Sequence, residues 1–203
     1  MSEPLSTVLT IARTYLNDDN NTVFFDPVLI PKIGEAHREL QEELWQAGSP
    51  IVREQSDPIL IAAGDTIVPA PDDLLTPTAL FEATPTGSDY IPMTETFYIP
   101  LGYVQTTKLV FWCWRKEQIE LGGSTLPRQV VIQYRKKIAI PVDVNDSIGI
   151  LFGESYLAAR AAAIAAGTLG NKDALELLTA TAKENLGKIL VTHRGSQKPQ
   201  LKP

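Results

Sequence analysis

Few residues of this sequence have side chains that could do chemistry, and they lie far apart. The two histidines are His37 and His193, and the one cysteine is Cys113. Neither histidine belongs to an H-E-x-x-H motif, and neither lies near the cysteine at the spacing of metal ligands. His37 falls among apolar residues at helical spacing, which favours a packing role. Cys113 lies between two tryptophans in a predicted strand, which indicates a buried thiol rather than a nucleophile.

The remaining candidates are a carboxylate pair and a glycine-rich loop. Asp72-Asp73 follows Pro69 and Pro71 in a turn-forming segment, so capping of a short helix is favoured over metal binding. The GGST segment at 122–125 lacks the G-x-x-x-x-G-K-[ST] frame of a phosphate loop. The sequence therefore predicts a protein that is not an enzyme and holds neither a metal nor a cofactor.

The composition is that of an acidic chain able to bury a core. Of 203 residues, 44% are hydrophobic and 21% are charged, and the formal net charge is −6. Sequence-tolerant DNA binding depends on Lys and Arg contacting phosphates, so this chain is a poor candidate for it, but it suits a surface that DNA passes without sticking. No signal peptide is expected, because residues 1–4 have neither a basic start nor an apolar core. No membrane partner is expected, because the most apolar window, 148–169, contains Glu154 and Arg160.

The first 50 residues predict two helices. Apolar residues recur at helical spacing between 5 and 16, and the NDDNN segment at 17–21 ends the first helix. In the second, Pro27 is expected to open a short turn and Pro31 the main helix, with a bend between them. The reason is that a proline costs little only at the first helical position. Gly48 is expected to end this helix.

The second helix has two contrasting faces. An apolar arc is expected to serve the core and consists of Ile33, Ala36, His37, Leu40, Leu44 and Ala47. An acidic face is expected to meet solvent or a DNA channel and carries Glu35, Glu39, Glu42 and Glu43. Trp45 lies off the apolar arc, beside Arg38 and Gln41, and aromatic and arginine side chains are enriched in interface cores. It is expected either to pack under the β region or to join Arg38 and Gln41 at a contact between subunits.

Residues 51–141 predict an antiparallel β domain, because β-branched and aromatic residues occur there with turn residues at short intervals. The segment 69–75 is expected to turn into a short helix. The segment 122–128 is expected to be the hairpin loop between the last two strands. The candidate strands are 51–55, 59–62, 66–69, 78–83, 108–115, 118–121 and 129–137.

Residues 142–192 predict a return to helix, beginning at Asn145 or Asp146. The alanine-rich segment 156–167 would allow close approach of another helix, and Arg160, Ala161 and Ala165 are expected at a contact between subunits. A last helix follows Asn171. Residues 193–203 lack periodicity and predict an extended tail that is either disordered or docks into a partner.

These segments together predict an α+β fold. Residues 1–50 and 142–192, the two ends of the chain, would form a four-helix bundle, and the antiparallel β domain of residues 51–141 would be inserted into it.

Several motifs occur in order along most of the chain. They are FFDPVLIPKIGEAHRELQEELWQAG (24–48), PDDLLTP (71–77), YIPMTE (90–95), WCWRKEQIELGG (112–123), RQVVIQY (128–134), YLAARAAAIAAG (156–167) and the glutamine-containing tail (197–200). In their order and spacing they resemble the head-to-tail adaptor, or connector, proteins in the neck of tailed bacteriophages.

The resemblance implies a structural virion protein of the neck or tail, assembled in the host cytoplasm. Its copies would form a homo-oligomeric ring, commonly a dodecamer, below the portal protein, with a tail, nozzle or further neck protein attached beneath. Viral DNA would pass through the ring during packaging and ejection without sequence-specific binding. The resemblance also implies that the C-terminal segment engages the portal, through Arg194, Gln197, Lys198, Pro199, Gln200 and Leu201.

Two other interpretations are open at this point. The first is a tail terminator or stopper ring elsewhere in the neck or tail, although such rings are mostly β. The second is a hydrolase acting on cell wall or nucleic acid. Its catalytic groups would have to be the carboxylates within 71–95 and 117–120.

Overall fold

The chain divides into two compact units, one discontinuous and one continuous. The computed structural model describes residues 3–100 and 102–194. The first unit combines the chain up to Val52 with the chain from Ile138 onward, and the second unit is Arg53–Lys137. We call them the helical unit and the β unit.

Four helices are described in the helical unit. They are α1 (Leu5–Tyr15), α2 (Asp26–Gln46), α3 (Glu154–Thr168) and α4 (Lys172–Arg194), with a short 3-10 turn at Pro50–Val52 after α2. Each of the first two helices begins at a proline-containing junction: Pro4 precedes α1, and Pro27 lies in the first turn of α2. A proline is tolerated there because the first helical N–H groups have no partner within the helix.

The predicted four-helix bundle is wrong, because the other three helices pack around one central helix, α3. In a bundle, each helix packs against two neighbours around a shared core. Here α3 packs extensively against α1, α2 and α4, whereas α1 and α2 touch each other only marginally. Alanines on several sides of α3 permit this close approach. The buried ones are Ala158, Ala159, Ala161, Ala162, Ala163, Ala165 and Ala166.

The second helix is continuous through Pro31. The predicted double start is therefore wrong, since α2 runs from Asp26 to Gln46 with Pro31 inside it. The apolar arc of this helix is buried as predicted at Ile33, Leu40 and Leu44. Packing of that arc outweighs the backbone hydrogen bond that a proline removes.

The third helix begins later than predicted, at Glu154. Asp146 does not cap it. The Asp146 carboxylate instead accepts hydrogen bonds from the backbone N–H groups of Val142 and Asp143, at 2.9 and 2.8 Å. The hydrogen bond from Asp143, followed by that from Val142, holds the pKa of Asp146 below its usual value. The side chain thus fixes a turn that precedes the helix.

Nine strands are described in the β unit, in two sheets. The five-stranded sheet contains β1 (Arg53–Gln55), β2 (Ile59–Ile61), β4 (Leu74–Ala83), β5 (Ile91–Pro92) and β9 (Arg128–Lys136), with β9 between β4 and the two short strands β1 and β2. The four-stranded sheet has the order β3 (Ile67–Val68), β8 (Gln118–Leu121), β7 (Phe111–Arg115) and β6 (Thr94–Glu95).

Three expectations for this unit are wrong. The unit is not purely antiparallel, because β6 and β7 pair in parallel. The segment 122–128 is not a hairpin loop, because β8 and β9, the strands it joins, lie in different sheets. The segment 69–75 leads directly into β4 rather than into a helix. Strand pairing depends on residues far away in sequence, which local turn signals do not report.

The two sheets of the β unit share one hydrophobic core. Leu80 and Ile132 of the five-stranded sheet belong to the same buried cluster as Trp112 and Ile119 of the four-stranded sheet. A charged pair is buried on the five-stranded sheet: Arg128 Nε donates to Glu82 Oε2 at 2.5 Å, and both residues are almost fully buried.

Candidate functional site

A groove on the helical unit collects several of the predicted site residues. It has a volume of about 380 Å³ and lies between α2, α3 and α4. The lining residues are Glu39, Glu42, Glu43, Tyr156, Arg160, Thr179, Ala182, Lys183 and Leu186. Helical spacing places the glutamates of α2 on one wall, and the opposite wall comes from α4.

The floor of this groove is organised by an ion pair between α2 and α3. Arg160 donates to both carboxylate oxygens of Glu39, with Nε–Oε2 and Nη2–Oε1 distances of 2.6 and 2.9 Å. The hydrogen bond to Glu39 raises the pKa of Arg160. Burial, followed by the charge of Glu39, raises the pKa of Tyr156 to about 12, so its hydroxyl stays protonated at neutral pH. The groove therefore presents an ion pair, further charged side chains and a protonated phenol.

The acidic face of α2 is divided by this ion pair. Glu35, Glu42 and Glu43 are exposed, whereas Glu39 is half-buried and bound to Arg160. Three of the four predicted acidic residues are thus exposed, and the fourth is paired within the chain.

The predicted subunit contacts fall into two classes. Arg38 is exposed, and Arg160 and Trp45 are half-buried, with the Trp45 ring packed against the core of the helical unit. Gln41, Ala161 and Ala165 are buried, and the two alanines have no exposed surface. The two alanines are therefore core residues of their own chain, because a side chain without exposed surface has none to offer a neighbour. Gln41 keeps 8% of its surface exposed.

His37 and Gln41 form a buried polar network with the chain that precedes α3. The His37 Nε2–H donates to the backbone oxygen of Ile148 at 2.8 Å, and His37 Nδ1 accepts from Gln41 Nε2 at 2.9 Å. The Gln41 amide also exchanges two hydrogen bonds with the backbone of Ile138. Since a carbonyl only accepts and the amide nitrogen only donates, the ring is neutral with its proton on Nε2. This network is structural, as the sequence predicted for His37.

Two of the other candidate side chains, Cys113 and Asp73, are engaged within the β unit. Cys113 is fully buried, and burial, followed by the charge of Glu120, raises the pKa of its thiol. Asp73 accepts a hydrogen bond from Tyr134 Oη at 2.8 Å, while Asp72 is exposed. Within residues 3–100 and 102–194, no group of three or more His, Cys, Asp or Glu side chains could hold a metal ion.

An exposed aromatic pair on the β unit was not singled out from the sequence. Phe97 is 99% exposed and Tyr98 is 65% exposed, and they follow the edge strand β6 after one intervening residue, Thr96. The two rings are neighbours in sequence and form a small apolar patch, and contiguous apolar patches occur at contact surfaces. The sequence feature that could have identified this pair is the occurrence of two adjacent aromatic residues in TETFYIPLG, a segment with no strand or helix periodicity.

The predicted portal-binding residues lie at or beyond residue 194, the last residue that the structure describes. The last helix ends at Arg194, whose side chain is outside the described part, and Gln197, Lys198, Pro199, Gln200 and Leu201 follow it. The tail prediction is therefore still a prediction.

No protein-family model matches the chain, and no curated protein matches it. None of the helices among the described residues is both long and apolar enough to cross a membrane.

Proposed function

We propose that this chain is a head-to-tail adaptor: a structural virion protein whose copies form a ring, commonly dodecameric, between the portal and the tail. The observation that carries the proposal is the uncovered aromatic pair, Phe97 and Tyr98; at 99% exposed, Phe97 is the most exposed large apolar side chain among the described residues. Burying such side chains against a second protein removes apolar surface from water, which favours assembly.

Charge supports the channel part of the proposal. The net charge is −6, and Glu35, Glu42 and Glu43 are exposed together on α2. A wall carrying such charges repels the phosphate backbone, so DNA can move past it without being held. The partners in this proposal are the portal protein, a tail, nozzle or next neck protein, further copies of the chain, and DNA in transit.

The test of the ring is the particle mass of the protein with and without purified portal protein, measured by native mass spectrometry. We expect a closed, high-order ring on the portal. A monomer that ignores the portal at micromolar concentration would contradict the proposal.

The C-terminal segment has its own test. Removing residues 195–203, which contain Lys198 and Lys202 and no acidic residue, is expected to weaken portal binding while the thermal unfolding midpoint stays unchanged, since the helix α4 is kept. Pull-down on immobilised portal measures the first effect, and circular dichroism the second. Full portal binding by the truncated chain would exclude the segment from the contact.

A further inference from the structure

The chain passes from the β unit to the helical unit between Lys137 and Ile138, and the backbone of both residues is held. Within the β unit, the Lys137 N–H donates to the backbone oxygen of Asp73 at 2.7 Å. Within the helical unit, the Gln41 side chain accepts from the Ile138 N–H at 3.0 Å and donates to the Ile138 oxygen at 2.9 Å. We call these two hydrogen bonds to Ile138 the junction clamp. The clamp fixes the backbone at the residue where the helical unit resumes.

The junction clamp is buried and uses the whole Gln41 amide. Gln41 and Ile138 are each 8% exposed, and His37 has no exposed surface. An amide nitrogen carries two hydrogens, and those of Gln41 go to the Ile138 oxygen and to His37 Nδ1, both at 2.9 Å. The amide oxygen accepts the Ile138 N–H. Three hydrogen bonds therefore fix the orientation of the amide, and one of them requires that His37 Nδ1 carries no proton.

A proton on His37 Nδ1 is incompatible with the junction clamp. A protonated imidazole donates from both ring nitrogens. Its Nε2–H keeps the hydrogen bond to the Ile148 oxygen, whereas an Nδ1–H would face the donating nitrogen of Gln41. The Gln41 oxygen can accept from Nδ1 only if the amide turns over. The amide nitrogen then faces the Ile138 N–H and the amide oxygen faces the Ile138 oxygen, so both hydrogen bonds of the clamp are lost.

We propose that His37 is a pH-sensitive switch for the junction clamp: with a neutral ring Gln41 holds Ile138, and with a protonated ring Gln41 turns to the ring and releases Ile138. The step adds one proton from solvent to Nδ1 and changes no other covalent bond. Histidine is suited to this role because its ordinary pKa lies within the range of mild acid. The inference goes beyond the adaptor function and does not depend on it.

The charged groups on the elements packed against α2 are paired, half-buried or exposed. They are Arg13 of α1, Glu154 and Arg160 of α3, and Asp143 and Asp146 of the chain that precedes α3. Arg13 binds Asp26, and Arg160 binds Glu39. Asp143 is exposed, Glu154 is half-buried, and Asp146 accepts from two backbone N–H groups.

The face of α2 around His37 carries no charge. The residues three and four positions away from it are Ile33, Gly34, Leu40 and Gln41. Burial lowers the pKa of His37, and the hydrogen bond to Ile148 opposes that effect. The switch therefore responds to the protonation of one ring rather than to a group of coupled charges.

Amide hydrogen exchange of the full chain, followed by NMR, tests the switch at the Ile138 N–H, whose acceptor is the Gln41 oxygen. The protection factor compares the observed exchange rate with that of an unstructured peptide at the same pH. The reference is the N–H of Leu44, a fully buried residue of α2 that lies outside the clamp. From about pH 7.5 to about pH 5, the protection of Ile138 should fall about tenfold relative to that of Leu44, as expected for the loss of one buried hydrogen bond.

The same samples report the protonation of the ring. The relative fall in Ile138 protection should have the same midpoint as the NMR titration of the His37 ring. A ring that titrates while the ratio of the two protection factors stays constant overturns the switch, because the whole helical unit is then loosened alike. A ring that stays neutral until the protein unfolds in acid also overturns it.

A pair of matched variants assigns the effect to one histidine. In His37→Gln the ratio of the two protection factors should no longer change with pH, since glutamine does not titrate. His193→Gln makes the same substitution at the other histidine, in α4, and should keep the pH response of the unsubstituted protein. A pH response that survives in His37→Gln, or that is lost in His193→Gln, overturns the assignment. The measurement on the unsubstituted protein decides the question even if His37→Gln does not fold.

Discussion

His37 links a protonation event to the packing of the helical unit. Its Nε2–H donates a hydrogen bond to the Ile148 carbonyl, and its Nδ1 accepts a hydrogen bond from the Gln41 amide. A second ring proton would point at the Gln41 amide, which is a donor itself. Burial, opposed by the hydrogen bond to Ile148, holds the pKa of His37 below 6.5. The folded protein therefore binds fewer protons at this site than the unfolded chain.

This predicts a loss of stability in mild acid. The pKa of His37 is lower in the folded protein than in the unfolded chain, where it is 6.5. The stability that the neutral ring contributes is therefore fully present above pH 6.5, and it is lost as the pH falls from there towards the pKa of the folded protein. Urea unfolding at pH 7.5 and at about pH 5 measures the difference. The variant His37→Gln keeps an amide donor for the Ile148 carbonyl but does not titrate, so its pH dependence over this range should be smaller. A variant with the full pH dependence would contradict the assignment to His37.

The buried pair Arg128–Glu82 makes a second prediction at this scale. Arg128→Met leaves the Glu82 carboxylate buried without its partner, and such losses cost about 3–5 kcal/mol. Replacing both residues, Arg128→Met with Glu82→Leu, should recover most of that loss, because two apolar side chains of similar volume need no partner. Denaturant unfolding of the two variants measures the free energies. A double variant as unstable as the single one would show that the pair stabilises the sheet by more than mutual neutralisation.

At the scale of elements, α3 is the helix on which the helical unit depends. Alanine has the highest helix propensity and the least bulk, so α3 forms readily and admits close neighbours on several sides. It contacts α1, α2 and α4, and Ala161 within it has no exposed surface. Enlarging a side chain there must displace a neighbouring helix.

Ala161→Leu is therefore expected to lower the free energy of unfolding by about 1–3 kcal/mol, the usual cost of overpacking. The matched control is Ala180→Leu, the same substitution at an exposed position of α4, which should change it by less than about 0.5 kcal/mol. Urea unfolding followed by circular dichroism provides the comparison. Equal effects at the two positions would mean that helix propensity, not packing, is being measured.

At the scale of the whole molecule, the β unit is built like a separable insertion. Its first strand pairs with its last, with Arg53 opposite Arg135, so its two ends lie on neighbouring strands about 5 Å apart. It also has its own hydrophobic core. Units with close ends and a private core can be inserted into another domain without disrupting it.

Residues 53–137 expressed alone are therefore expected to fold. The measurement is cooperative thermal unfolding together with a dispersed NMR amide spectrum. Leu80→Asp in the same fragment, which places a charge in the core, serves as the unfolded reference. If the unsubstituted fragment gives the same unfolding curve and NMR spectrum as the Leu80→Asp fragment, the β unit needs the rest of the chain to fold.

The sequence by itself determined the local features of this protein. Period 3.6 marked Ile33, Leu40 and Leu44 as one buried arc. This prediction follows from residues a few positions apart, whose relative directions are fixed by backbone geometry. The predictions about the ring, the portal and the tail are still untested.

Only the tertiary structure decided which surface covers which. It placed α3 at the centre of the helices, sent β8 and β9 into different sheets, and left Phe97 without cover. It also joined Glu39 to Arg160 across most of the chain. An apolar stripe says that a face must be buried but not against what, because that choice depends on the shapes and charges of segments distant in sequence.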